Sequence, residues 1–264
     1  MSESETTTTY DVAFHNFLLS LEAAYVRGDP FAAICIGDAE AMFYLMGKPG
    51  QPKVPNLDVY LRPNGVLSYM TGLRDDWFEM LPEADFTFAN GLNATLEYEH
   101  RMRSSELLWE PFTVKCAETL DLAGSTSPRL PAELRYEMFS DGSCLAAISG
   151  AKVLLIGALA DQAAKSFTDK DFLMKHAEKC TSCVEVVGSL KCSSTLAAED
   201  VYRVIERSKE YDFDVALVAM GPAANYVCLS LKRLGHIALD VGSVMDAFAG
   251  VAPERTGLYG FDNP

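Results

Sequence analysis

The chain has 264 residues, 49% of them hydrophobic, with 22 Lys and Arg against 37 Asp and Glu, a formal net charge of −15. This composition supplies a core and excludes collagen, coiled coil and general disorder, and the length suits one large domain or two small ones. So negative a chain repels polyphosphate backbones and anionic membranes. No nucleic-acid partner is therefore expected, and an anionic ligand would need local help from a divalent cation or a helix N-terminus.

Met1–Tyr10 is rich in Ser, Thr and Glu and lacks Lys and Arg, which matches no targeting segment and reads as a disordered tail before a single domain over residues 11–264. Phe14, Phe17, Leu18, Leu21 and Tyr25 recur at helical spacing and predict an amphipathic first helix that stops near Gly28-Asp29-Pro30. Ala32–Ile36 reads as a buried strand, and Gly37-Asp38-Ala39-Glu40 turns it into a helix over residues 41–46. Residues 47–66, with four prolines and three glycines, form a loop. A helix over residues 67–81 and a strand over 85–89 follow, then helical texture over 96–119 and 132–148, with a candidate subdomain break at the loop 124–128.

In the C-terminal half, short apolar runs at 153–156, 184–187, 215–219 and 237–239 alternate with helical stretches. That alternation predicts an α/β fold, Rossmann-like, with a mostly parallel sheet, helices on both faces and a helical middle segment. Pro222 suits the first turn of one helix and Gly235 its end. The longest uncharged run, Val215–Leu231, is broken by Gly221-Pro222, so no membrane span is expected. Seven cysteines without a secretory segment indicate free thiols and a cytoplasmic protein.

Four features could carry chemistry. Asp38 and Glu40 follow a strand where open α/β sheets bind ligands, and suit a hard divalent cation such as magnesium or manganese; equally, Asp38 could be a plain N-cap with Glu40 favourable to the helix dipole. Gly221-Pro222-Ala223-Ala224-Asn225 opens a helix whose N–H groups could face a diphosphate, or is simply a tight turn, and no Gly-x-Gly-x-x-Gly fingerprint accompanies it. After the last strand, Asp240 or Asp246 could serve as general base and Ser243 could bind a hydroxyl or phosphate, while an Asp in such a place is often a cap or a solvated residue. His176, Cys180, Cys183 and Cys192 offer zinc ligands at irregular spacing, or are small buried residues.

Taken together, Ile36-Gly37-Asp38-Ala39-Glu40, the run Asp212–Ala224 and the run Leu234–Gly242 resemble the GT-D type glycosyltransferase family, whose members carry an Asp-x-Glu motif after the first strand. The resemblance implies a metal-dependent enzyme that moves a sugar from a nucleotide-sugar donor, a UDP-sugar foremost, to a glycan or other hydroxyl acceptor. It places manganese or magnesium on Asp38 and Glu40, and the nucleotide near Gly37, Gly221, Pro222, Ala223, Asn225 and Ser243. Asp246 and Asp240 are its candidate catalytic carboxylates. Some members carry a histidine where this chain has Ser243, so no histidine role carries over. The alternatives are a nucleotide-binding module without catalysis and a zinc-stabilised interaction protein.

Overall fold

The structure, a computed structural model, describes residues 3–45, 71–89, 118–132, 134–169, 184–193 and 197–251. In chain order the elements are α1 (Glu3–Arg27), β1 (Phe31–Ile36), α2 (Asp38–Leu45), α3 (Thr71–Met80), β2 (Phe86–Ala89) and β3 (Arg129–Pro131). Then come α4 (Leu134–Ser140), α5 (Ser143–Ala147), β4 (Lys152–Gly157), α6 (Ala160–Ser166), β5 (Glu185–Lys191), α7 (Ala197–Ser208), β6 (Val215–Ala219), α8 (Ala223–Arg233), β7 (Ile237–Asp240) and α9 (Val244–Phe248). The seven strands form one sheet in the order β3-β2-β1-β7-β6-β4-β5, and every pairing is parallel.

The central strands are buried on both faces, which is why they read as continuous apolar runs. Their side chains still sort by the strand's period of two. Ala32, Ile34 and Ile36 pack under α2, α3, α7 and α8, whereas Phe31, Ala33 and Cys35 pack under α1, α4, α5, α6 and α9. Phe17 fixes α1 to the second face by edge-on contacts with Phe31, Phe86 and Phe88, at centroid distances of 6.1, 5.3 and 5.3 Å. At the end of α8, Gly235 takes φ +97°, and the N–H groups of Gly235 and His236 donate to the carbonyls of Lys232 and Leu231 at 2.9 and 3.0 Å, so the predicted helix stop holds.

Several local expectations change. α1 begins at Glu3 and takes in residues assigned by composition to a tail; a helix already fixed by Phe17, Leu21 and Ala24 extends at low cost. The helical texture at 132–148 divides into α4 and α5 at Asp141-Gly142, where Gly142 has φ +75° and the Asp141 carboxylate accepts the Ser143 N–H at 2.8 Å. β3 has no apolar run to announce it, and its Pro131 is tolerated because the strand is an edge. The strands on either side of residues 124–128 belong to the same sheet, and Ser125 and Ser127 join it through the hydroxyl chain Ser125–Ser127–Thr87 at 3.0 and 2.8 Å. The loop 47–66 and nearly all of the 96–119 segment lie outside the described residues.

β4 and β6 approach so closely at their carboxyl ends that a Cβ on Gly157 would sit 2.8 Å from the Ala219 carbonyl oxygen. Backbone cannot yield as a side chain can, so Gly157→Ala is expected to cost about 2 kcal/mol, measured as a lower urea midpoint with an unchanged slope.

Candidate functional site

At the carboxyl ends of adjacent β1 and β7 the chain departs in opposite directions: α2 covers one face and α9 the other. Such a divergence opens the crevice in which open α/β sheets bind ligands. The ladder between the two strands pairs Phe31–Ala33 with Ile237–Leu239 and stops there. The next acceptor is a side chain, since Asp240 Oδ2 takes the Cys35 N–H at 3.2 Å. Its Oδ1 takes the Gly242 N–H at 3.1 Å and lies 3.6 Å from Arg135 Nη1.

Arg135, on α4, is the buried cation of this site, and no sequence pattern announces it. Its Nη1 also donates to the Asp240 carbonyl at 3.4 Å and its Nε to the Ala132 carbonyl at 3.3 Å. Burial opposes its charge, but the fields of Cys35, Tyr136, Asp240 and Glu40 outweigh that and hold the guanidinium protonated. Gly242, at φ +49°, is needed beside it, because a Cβ there would meet Arg135 Nη1 at 2.9 Å.

On the other side of the crevice, α2 starts at Asp38, so Asp38 is the first helical residue and Gly37 the flanking one. Glu40 braces this helix start: its Oε2 accepts the Gly37 N–H at 2.9 Å, the reaching-back half of a capping box. Among the described residues no three His, Cys, Asp or Glu side chains converge on a metal-sized site. The donor set of the Asp38–Glu40 turn still suits magnesium or manganese, which take one or two carboxylates and complete their shell with water and substrate phosphate. Of the zinc candidates, His176, Cys180 and Cys183 lie outside the described residues, and Cys192 is a buried thiol that burial pushes up to about 12.

The remaining candidates divide. Gly221, at φ +53°, and Pro222 form the turn before α8, but the N–H groups of Ala223 and Ala224 already donate to Met220 and Gly221 carbonyls at 3.3 and 2.9 Å. Proline has no N–H, so this helix start offers fewer free donors to a diphosphate than the sequence implied. Asn225 is fully buried in the first turn of α8. Ser243 Oγ lies 2.5 Å from the Tyr136 hydroxyl, a pairing that ties the turn before α9 to α4. Asp246, in the first turn of α9, is half-buried, and burial raises its carboxyl to about 6. Asp240 is also raised to about 6: burial dominates over Arg135 and the two N–H donors that lower it.

With these features in place, the likenesses to known proteins are informative. The model of the GT-D fold-like domain matches residues 14–248. The chain therefore belongs to the GT-D-like family, the glycosyltransferase class its motifs resemble. Among solved structures it is similar to a selenomethionine-substituted domain of unknown function 1792, at 16% identity and TM-score 0.57, over 87% of this chain and 78% of that one. It is also similar to a DUF1792 protein from Streptococcus sanguinis described as a new glycosyltransferase, at 13% identity and TM-score 0.54, over 87% and 81%. A third structure, of DUF1792 with a distinct glycosyltransferase fold, matches at 14% identity and TM-score 0.56, over 87% and 78%. No curated protein matches the chain. At these identities the structures establish the fold, and the α/β, parallel-sheet expectation holds. No helix among the described residues is long and apolar enough to cross a membrane.

Arg135→Met should lower stability at pH 7 by about 3 kcal/mol, because it leaves Asp240 buried without its counter-ion. The loss should be smaller at pH 5, where a protonated Asp240 needs none; urea unfolding at the two pH values measures the difference. Asp246 has a folded pKa above its free value, so its contribution to stability is present below about pH 4 and lost as pH rises through about 6. Asp246→Asn should therefore stabilise the protein at pH 7 by about 1 kcal/mol, after allowance for solvent around a half-buried group, and give no gain at pH 4.

Proposed function

We propose that the protein transfers a sugar from a nucleotide-sugar donor to an acceptor hydroxyl, with a divalent cation at the Asp38–Glu40 turn. The observation that carries this reading is the meeting, at one crevice of a GT-D-like sheet, of the Asp-x-Glu turn with the buried Arg135–Asp240 pair and the turn that bears Asp246.

Each part has a distinct task. Asp38 and Glu40 would hold manganese or magnesium, which when bound supplies charge stabilisation to a departing nucleoside diphosphate. Arg135 adds fixed positive potential beside that turn in an otherwise acidic protein. Asp240, enclosed and fully bonded, acts as a positioning residue: it fixes the Gly242 turn and hence the approach of α9. Asp246 is the better general base of the two candidate carboxylates. It is partly open to solvent, and with a pKa near 6 it is mostly ionised at pH 7 yet basic enough to accept a proton from the acceptor hydroxyl. Gly221, Pro222 and Ser243, which follow the carboxyl ends of β6 and β7, would lie near the donor. A UDP-sugar and a glycan acceptor are the substrates to try first.

Asp38→Asn and Glu40→Gln keep shape and remove charge. Each is expected to reduce manganese-dependent turnover or hydrolysis of UDP-sugars about 100-fold or more while the circular dichroism spectrum stays unchanged. Full activity in both variants, or binding of nucleotide sugars without turnover across a panel of donors and acceptors, would overturn the proposal.

A further inference from the structure

Arg135 is anchored without being saturated. Its Nε donates to the Ala132 carbonyl at 3.3 Å, its Nη1 to the Asp240 carbonyl at 3.4 Å, and its Cζ lies 5.6 Å from the Tyr136 ring centroid. All three anchors are neutral. The carboxylate it faces, that of Asp240, lies 3.6 Å from Nη1, whereas a forked arginine–carboxylate pair makes two parallel and shorter bonds. Asp240 gives its oxygens to other donors, the N–H groups of Cys35 and Gly242. Among the described residues Nη2 donates to no acceptor, and the side chain keeps 9% of its surface open.

The neighbouring turn explains why that edge stays uncovered. A Cβ at Gly242 would sit 3.5 Å from Nη2 as well as 2.9 Å from Nη1, so any larger residue would lie across both nitrogens. Gly242 therefore does more than adopt φ +49°: it leaves the guanidinium edge bare where the chain turns from β7 into α9. β7 is the neighbour of β1, which ends in the Asp38–Glu40 turn, and Glu40 lies within electrostatic reach of the guanidinium. A fixed positive donor on one strand end and two carboxylates on the next suit a ligand that satisfies both charges. Anionic oxygens meet the arginine, and a divalent cation bridges the same anion to the carboxylates. A diphosphate carrying its metal ion has that form.

We propose that Arg135, through Nη2 and past the bare face of Gly242, binds an oxygen of the donor's diphosphate directly, opposite the cation at Asp38 and Glu40. Arg135 is then a binding residue as well as a source of potential, and Gly242 is the residue that keeps it accessible. The identity of the ligand rests on the nucleotide-sugar reading above, whereas the arginine edge itself calls only for a phosphate oxygen.

The test uses the full chain and two probes that share only the diphosphate, UDP and inorganic pyrophosphate, each titrated by calorimetry with Mg²⁺ present. Arg135→Lys keeps the charge and removes the planar fork, and it should weaken both probes about tenfold or more and by similar factors. Gly242→Ala keeps Arg135 and covers its edge, so it should weaken both probes too; it decides the matter if circular dichroism shows that Arg135→Lys does not fold. Unchanged affinity in either folded variant would overturn the proposal. A crystal structure of the UDP complex should place a phosphate oxygen within about 3.2 Å of Arg135 Nη2, and a diphosphate held beyond about 4 Å from it would overturn the direct contact. A wild type that binds neither probe would overturn both the contact and the nucleotide-sugar reading. Arg135-dependent binding of both probes, with no turnover of any nucleotide sugar, would support the contact and count against the enzymatic reading alone.

Discussion

The Asp240 carboxylate carries the arrangement of the crevice. Where the β7–β1 ladder runs out, it takes over as acceptor for the Cys35 N–H, and with its other oxygen it holds the Gly242 turn and faces Arg135. One side chain thus closes the sheet beneath the Asp-x-Glu turn, aims the chain towards α9, and gives a buried cation its reason to be there. The cost is visible in its own protonation, since burial outweighs three favourable partners and leaves the carboxyl near 6. Such a buried pair contributes geometry more than net stability.

The same device recurs at the opposite, amino-terminal ends of the strands. Asp85 and Asp214 accept the N–H groups of Ala32 and Lys152, each at 2.8 Å, where β1 and β4 begin. Part of the negative charge is therefore structural, spent on ending ladders cleanly. The surface ion pairs, such as Lys209 with Glu206, contribute little beside this. What distinguishes the candidate site electrostatically is one guanidinium held charged in the interior, next to the turn where an anionic ligand would need help.

Much of the fold was legible because its strands are apolar runs of a doubly covered sheet and its helices carry clear stops, as at Gly235. The positions of Asp38, Glu40, Asp240 and Asp246 at carboxyl ends of strands were legible for the same reason. Arg135 was not, because a lone arginine between Leu134 and Tyr136 looks like any helix-surface residue until α4 folds against β7. β3 escaped notice because an edge strand of three residues with a proline has no pattern to show.

The sequence by itself determined the elements and the chemistry available at their ends: periodicity and turn residues act over a few positions, and those positions are contiguous in the chain. Only the tertiary structure decided which of those groups do local work and which remain for a ligand. It gave one Glu40 oxygen to the Gly37 N–H, occupied the amides of Ala223 and Ala224 within their own turn, and enclosed Asp240 while leaving Asp246 partly open. Those outcomes depend on desolvation and on partners such as Arg135 and Asp240, 105 residues apart, and pairings at that separation are set by packing alone.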